Sequence, residues 1–163
     1  KIAVTAPLIY AQGSLAYLSV KQRNFCAEMF LLKDRDIQKI AIANPKTAPY
    51  GKAAEEAIKN AGVYESVKKK FVFAESISQT VAYTVTAADI GFIAKSSLYS
   101  PKMSHFKEGI NWYDVESELY TPISQGIVIL KEGEQNSEVK AFYDFILSKK
   151  AQKILKDFGY LIP

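Results

Sequence analysis

Short apolar runs alternate with amphipathic stretches along most of this chain, and that alternation sets the first expectations. IAIA at 40–43 is wholly apolar and stops at Asn44-Pro45, the pattern of a strand buried on both faces. FVFA at 71–74 and DIGFIA at 89–94 read the same way, and SLAYLSV at 14–20, after Gly13, reads as another strand. Between the first two lies KTAPYGKAAEEAIKNAG, where Pro49 suits a first helical turn and Ala53, Ala54, Ala57, Ile58 and Ala61 recur at helical spacing. Gly62 fits the position just past the end of that helix. YESVKKK adds a short second helix. Glu75-Ser76 then caps a stretch in which Ile77, Val81 and Val85 form one apolar stripe. Strands alternating with helices across short links predict a parallel α/β sheet.

From 95 to 121 the pattern loosens, with Pro101, Gly109 and a candidate strand in NWYDV. GIVIL at 126–130 is expected to close the sheet. Beyond it, SEVKAFYDFILS and KKAQKILKDFG predict two helices with apolar faces at Phe142, Phe145 and Ile146, then at Ile154, Leu155 and Phe158. There are no repeats and no low-complexity linker.

Composition narrows the possibilities. The chain has 163 residues, 48% hydrophobic and 23% charged, so it can bury a core without disulfides or a metal. One Cys (Cys26) and one His (His105) can assemble neither a bridge nor an ordinary zinc site. No apolar run approaches the roughly 20 residues of a membrane span. KIAVTAPLIYAQGS at the amino terminus lacks a cationic stretch and a small-residue cleavage pattern, so the protein is expected to be cytoplasmic or to have had its signal removed. The net charge of +4 invites a nucleic-acid reading, but no basic stripe interleaved with aromatics exists, so no nucleic-acid partner is expected. The one tight run is Lys68-Lys69-Lys70; the mild positive field favours small anions.

Catalytic chemistry finds little support. His105 stands in a loop-like stretch and is expected at the surface, and no GxSxG is present. Cys26, between Phe25 and Ala27, is expected to be a small buried apolar residue. Glu55 and Glu56 are expected to face solvent, and no carboxylate pair is arranged for acid–base work. More informative are two strand-to-helix junctions, IAIANPKTAPYG and FVFAESIS. In an open parallel sheet such junctions lie on the carboxyl edge, where ligands bind. Each helix start carries amide N–H groups and about half a positive charge. Two of them converging would hold an anion without any charged side chain.

At these junctions the sequence resembles a known family. IAIANPKTAPYGKAAEEAI, FVFAESISQTVAYTV, ADIGFIAKSSL and SEVKAFYDFILSKKAQKILKDFGYLIP are similar, in order and spacing, to the periplasmic molybdate-binding proteins of bacterial molybdenum ABC transporters. The resemblance runs from about Leu8 to Pro163. It implies a periplasmic binding protein-like type II α/β fold: a mostly parallel sheet flanked by helices, with carboxy-terminal helices that belong to a first lobe. The implied limits are 1–13 for a remnant of the first lobe and its crossing, 14–131 for the second lobe, and 132–163 for the return. The family's opening strand and its hydroxyl-bearing loops have no counterpart here, so the chain looks like a fragment.

By the same resemblance, the second lobe binds the oxyanion, molybdate or tungstate, through backbone N–H groups at Tyr50 and Ile77. The strand-end position where the family has a tyrosine is Ala94, which has no hydroxyl; the Tyr50 phenol is a substitute contact, with plain packing as its alternative. The implied function is a non-enzymatic, periplasmic substrate-binding protein that needs no cofactor and delivers its anion to a membrane permease. A ligand-sensing effector domain of a transcription regulator shares the fold and is the alternative. With the first lobe absent, the last two helices lose their natural sheet, which predicts self-association of the chain.

Overall fold

All four residues of the apolar run Ile40–Ala43 are buried. In the computed structural model, which describes residues 2–163, the strands are β1 (Leu8–Gly13), β2 (Leu15–Leu18), β3 (Ile40–Ala43), β4 (Phe71–Ala74), β5 (Ile90–Ala94), β6 (Trp112–Asp114) and β7 (Ile123–Ile127). The helices are α1 (Pro49–Asn60), α2 (Tyr64–Val67), α3 (Ile77–Thr86), α4 (Ser137–Ile146) and α5 (Lys149–Asp157). The chain divides into two compact units: one holds the stretch up to Gly13 together with Ser124–Pro163, the other holds Ser14–Ile123.

The Ser14–Ile123 unit is built on a five-stranded sheet in the order β4-β3-β5-β2-β6. β3 is parallel to both β4 and β5, in register from Ile40↔Phe71 to Ala43↔Ala74 on one side. β2 runs antiparallel to β5 and to β6, so four strands share one direction and β2 alone is reversed. The sheet is thus mostly parallel, as expected, with β2 as the exception. Helix-bearing connections fix the directions of β3, β4 and β5. No α-helix intervenes between β2 and β3 or between β5 and β6, where 3-10 turns lie instead, so those directions are unconstrained by that rule.

The two faces of the sheet carry separate cores, because successive side chains on a strand point to opposite faces. Leu15, Tyr17, Ile40, Ile42, Ile90 and Phe92 meet Ala53, Ala54, Ala57 and Ile58 of α1 on one face. Ala16, Leu18 and Ile93 meet Val81 and Val85 of α3 on the other. In α3 the expected stripe is displaced: Ile77, Val81 and Val85 are only half-buried, and the fully buried residues are Thr80 and Thr84. Their hydroxyls donate to the carbonyls of Ser76 and Thr80, so they enter the core with their polar atoms satisfied. Thr84 lies where Gly91 leaves room, since a Cβ on Gly91 would come within 1.8 Å of its Oγ1.

Two further expectations are corrected. GIVIL does not close the main sheet; β7 pairs with β1 in a separate two-stranded sheet, and residues beyond it stay extended, with Val4 N–H donating to the Ile129 carbonyl at 2.9 Å. The second boundary between units accordingly falls after Ile123, earlier than Lys131. The cause is visible in the strand itself, where Ser124, Gln125 and Gly126 interrupt the apolar run needed for a strand buried on both faces. Cys26 is exposed, because in the 3-10 segment Phe25–Lys33 the buried positions go to Phe25, Met29, Leu31 and Leu32. α4 and α5 form as expected, but α4 buries no residue and α5 buries only Ala151.

Candidate functional site

α1 begins at the carboxyl end of β3, and its entry is set by local geometry. Ala48 precedes Pro49 and is extended, as a residue before proline prefers. Proline supplies the first helical residue, where no N–H is needed. Asn44 organises the turn before it: its Oδ1 accepts from Lys46 N–H, and its carbonyl accepts from Thr47 and Ala48. No side chain caps this helix and its first turn holds no acid, so the partial positive charge of its end is left to whatever lies beyond it. Gly51 is what allows the start to sit so close to the sheet: a Cβ there would lie 2.2 Å from the Ala43 carbonyl oxygen.

α3 begins at the carboxyl end of the neighbouring strand β4. Ser76 is its cap, with Oγ accepting from Gln79 N–H at 3.2 Å, and the Gln79 Oε1 accepts in return from Glu75 N–H at 2.8 Å. This arrangement fixes the entry of the helix. Because Ala43 and Ala74 are paired, and Asn44 N–H donates to the Ala74 carbonyl at 2.7 Å, the two strands end level with each other. Neighbouring strands are about 4.8 Å apart. The helices then descend opposite faces of the sheet, so both starts open onto one edge.

Each residue singled out from sequence has a definite place. Tyr50 and Ile77 are in the first turns of α1 and α3, both half-buried, and the Tyr50 ring packs against the core on the α1 face. Ala94 ends β5 on the same edge and is buried. His105 is exposed in a turn against Phe106. Glu55 and Glu56, expected in solvent, are half-buried and engaged: Glu55 accepts from the Tyr64 hydroxyl at 3.2 Å, and Glu56 from the Thr121 hydroxyl at 2.9 Å. Among the described residues no group of three or more His, Cys, Asp or Glu side chains is placed to hold a metal.

The sequence reading missed an ion pair on this edge. Lys95, directly after Ala94, donates to Asp114 at 2.6 Å and lies 5.8 Å from the centre of the Trp112 ring. Burial lowers the pKa of this ammonium, but the hydrogen bond and charge of Asp114 outweigh burial and hold it above the ordinary lysine value. No local pattern could reveal the pair, since its members are 19 residues apart. Gly51 did leave a signal: a glycine inside a first helical turn opposes helix propensity and calls for a steric reason.

A parallel core of strands with helices beginning at one carboxyl edge, in a chain that passes twice between two units, defines an α/β binding-protein fold, and the comparisons say which. Residues 4–161 match the family model described as bacterial extracellular solute-binding protein, and the chain belongs to that family. It is 37% identical over 153 residues to the molybdate-binding protein ModA of Rhodobacter capsulatus, covering 93% of this chain and 58% of that protein. Against the protein of the same name from Azotobacter vinelandii it is 37% identical over 152 residues, 93% of this chain and 59% of the relative. The solved Azotobacter vinelandii periplasmic molybdate-binding protein superposes with a TM-score of 0.85 at 28% identity, over 99% of this chain and 71% of that one. The chain thus spans about three-fifths of the length of the relatives it matches.

Proposed function

We propose that this chain is the anion-gripping part of a periplasmic receptor that captures molybdate or tungstate and passes it to the membrane permease of an ABC transporter. It acts by binding, without catalysis. The observation that supports this most is the opening of two helix starts, from adjacent parallel strands, onto one sheet edge. Backbone N–H groups around Tyr50 and Ile77 are the proposed donors. The names of the relatives supply the anion: those 37% identical to this chain are molybdate-binding proteins.

The chemistry is coherent. Molybdate and tungstate are dianions that present only acceptors at neutral pH, so a set of oriented N–H dipoles suits them. Neutral donors avoid the desolvation cost of buried lysines, which keeps release easy. Sulfate has the same charge and the same acceptors but is smaller, so discrimination must come from the size of the hollow. Neutral donors give no basis for separating molybdate from tungstate.

Titrating the 163-residue chain with sodium molybdate, followed by amide NMR, tests the reading. Shifts should concentrate on the first turns of α1 and α3, at weak affinity, because a chain three-fifths the length of its relatives leaves several anion oxygens in water. Sulfate should perturb the same amides less. Shifts elsewhere, or none, would refute it. Calorimetry from mildly acidic to mildly alkaline buffer should show little pH dependence, since the proposed donors do not titrate.

The exposed apolar side chains of the Ser124–Pro163 stretch, among them Phe142 at 59% and Phe158 at 47% exposure, support self-association when this chain stands alone.

A further inference from the structure

The segment that follows β6 does more than return the chain. Leu119 and Thr121 both bond to α1: the Leu119 carbonyl accepts from Asn60 Nδ2 at 2.8 Å, and the Thr121 hydroxyl donates to Glu56 Oε1 at 2.9 Å. Glu56 and Asn60 are four residues apart and so share one face of the helix. Tyr120, between the two, points the other way and is buried. Its hydroxyl accepts from Leu15 N–H at 3.0 Å and meets the Ser14 side chain. Two backbone bonds secure the same spot, Lys95 N–H to the Ser14 carbonyl at 2.9 Å and Val115 N–H to the Leu15 carbonyl at 3.0 Å.

Ser14 is the first residue after the chain enters this unit, and Ile123 is the last before it leaves. Residues 119–121 therefore tie α1 to the entry point and stand just ahead of the exit. We propose that this three-residue strap is a positioning device that couples α1 to both points at which the chain passes between its units. A displacement of α1 when an anion seats at its first turn would then be carried to those points; this second half rests on the function proposed above. The residues responsible are Thr121 and Asn60 on the helix side and Tyr120 on the strand side. None of them contacts the first turn of α1 through any of these bonds; they act through the helix.

Amide hydrogen exchange of the 163-residue chain tests the coupling, with the amides of β3 as the internal report on global opening. Tyr120→Phe removes the acceptor of Leu15 N–H and serves as the direct control. Thr121→Val changes an exposed residue that bonds to α1. The coupling predicts that it speeds exchange at Leu15 roughly threefold relative to β3. A Leu15 rate that follows β3, with changes confined to α1, would overturn the proposal.

A second arm adds sodium molybdate. The first-turn amides of α1 and the Leu15 amide should both slow in the wild-type chain, and Leu15 should slow less in Thr121→Val. Slowing at α1 without any at Leu15 would overturn the strap while leaving the anion reading intact. No slowing anywhere would refute the anion reading, and the ligand-free comparison would still decide the strap.

Discussion

Replacing Gly51 with alanine probes the one place where the helix start and the sheet edge cannot separate. The added Cβ would sit 2.2 Å from the Ala43 oxygen, 2.6 Å from its carbonyl carbon and 2.9 Å from the Asn44 carbonyl carbon. All three obstacles are backbone, so no rotamer change relieves them. Real Cβ atoms essentially never approach closer than 3.0 Å, so α1 must recede by about 0.8 Å or β3 must bend. Overpacking of this kind costs roughly 1–3 kcal/mol. Alanine returns up to about 1 kcal/mol through helix propensity. A net destabilisation of about 1 kcal/mol is expected, seen as a lower urea midpoint with unchanged slope. The recession also moves the first-turn N–H groups, so molybdate-induced shifts at α1 should shrink more than those at α3.

Gly91→Ala is the matched comparison. There the nearest obstacle is the Thr84 side chain, at 1.8 Å, so adding Thr84→Ala should restore part of the loss. No side-chain deletion should rescue Gly51→Ala. A Gly51→Ala variant with the wild-type urea midpoint and wild-type shifts would refute the idea that close backbone approach sets the geometry of this edge.

Asp89 predicts a pH dependence. Partial burial pushes its carboxyl pKa up, but N–H donation from Gln38 and Lys39, both at 2.9 Å, and the charges of Arg23 and Lys21 outweigh burial and hold it below the usual value. A group depressed in the folded state contributes stability above its unfolded pKa, near 4, and loses that contribution as pH falls through the folded value. Urea midpoints should therefore drop below about pH 4, and Asp89→Asn should flatten this part of the profile. At the amino end of α3, Ser76→Ala removes the acceptor for Gln79 N–H and should cost about 1 kcal/mol by urea unfolding, with weaker molybdate shifts at Ile77. Light scattering of the isolated chain should show association at high concentration, and Phe142→Lys, at a 59% exposed site, should reduce it without lowering the urea midpoint. A clean monomer at every concentration would count against that.

Much of the architecture could be read from local pattern. IAIA and DIGFIA are strands covered on both faces, as their apolar runs require. FVFA instead forms the edge strand β4, where only Ala74 is buried and Phe73 is 55% exposed, because an edge position covers it on fewer sides. α1 is bounded by Pro49 and by Gly62, which takes φ +71, the left-handed conformation expected just past a helix end. The two helix starts were legible for the same reason, since caps and turns are contacts between residues only a few positions apart.

The tertiary structure decided what depends on residues far apart in the chain. The reversal of β2 and the pairing of β7 with β1 are choices of strand partner; the polar run Ser124–Gly126 keeps β7 from being buried on both faces but does not name β1 as its partner. Thr84 could turn inward because Gly91, on a different element, left it a hollow, and both Thr80 and Thr84 give their hydroxyl protons to backbone carbonyls one turn earlier. The engagement of Glu56, the pairing of Lys95 with Asp114 and the clasp of Tyr120 on Leu15 join residues 65, 19 and 105 positions apart. Hydrophobic period and backbone chemistry are short-range and so are written in the sequence; which surfaces meet is settled only when segments distant in the chain pack against one another.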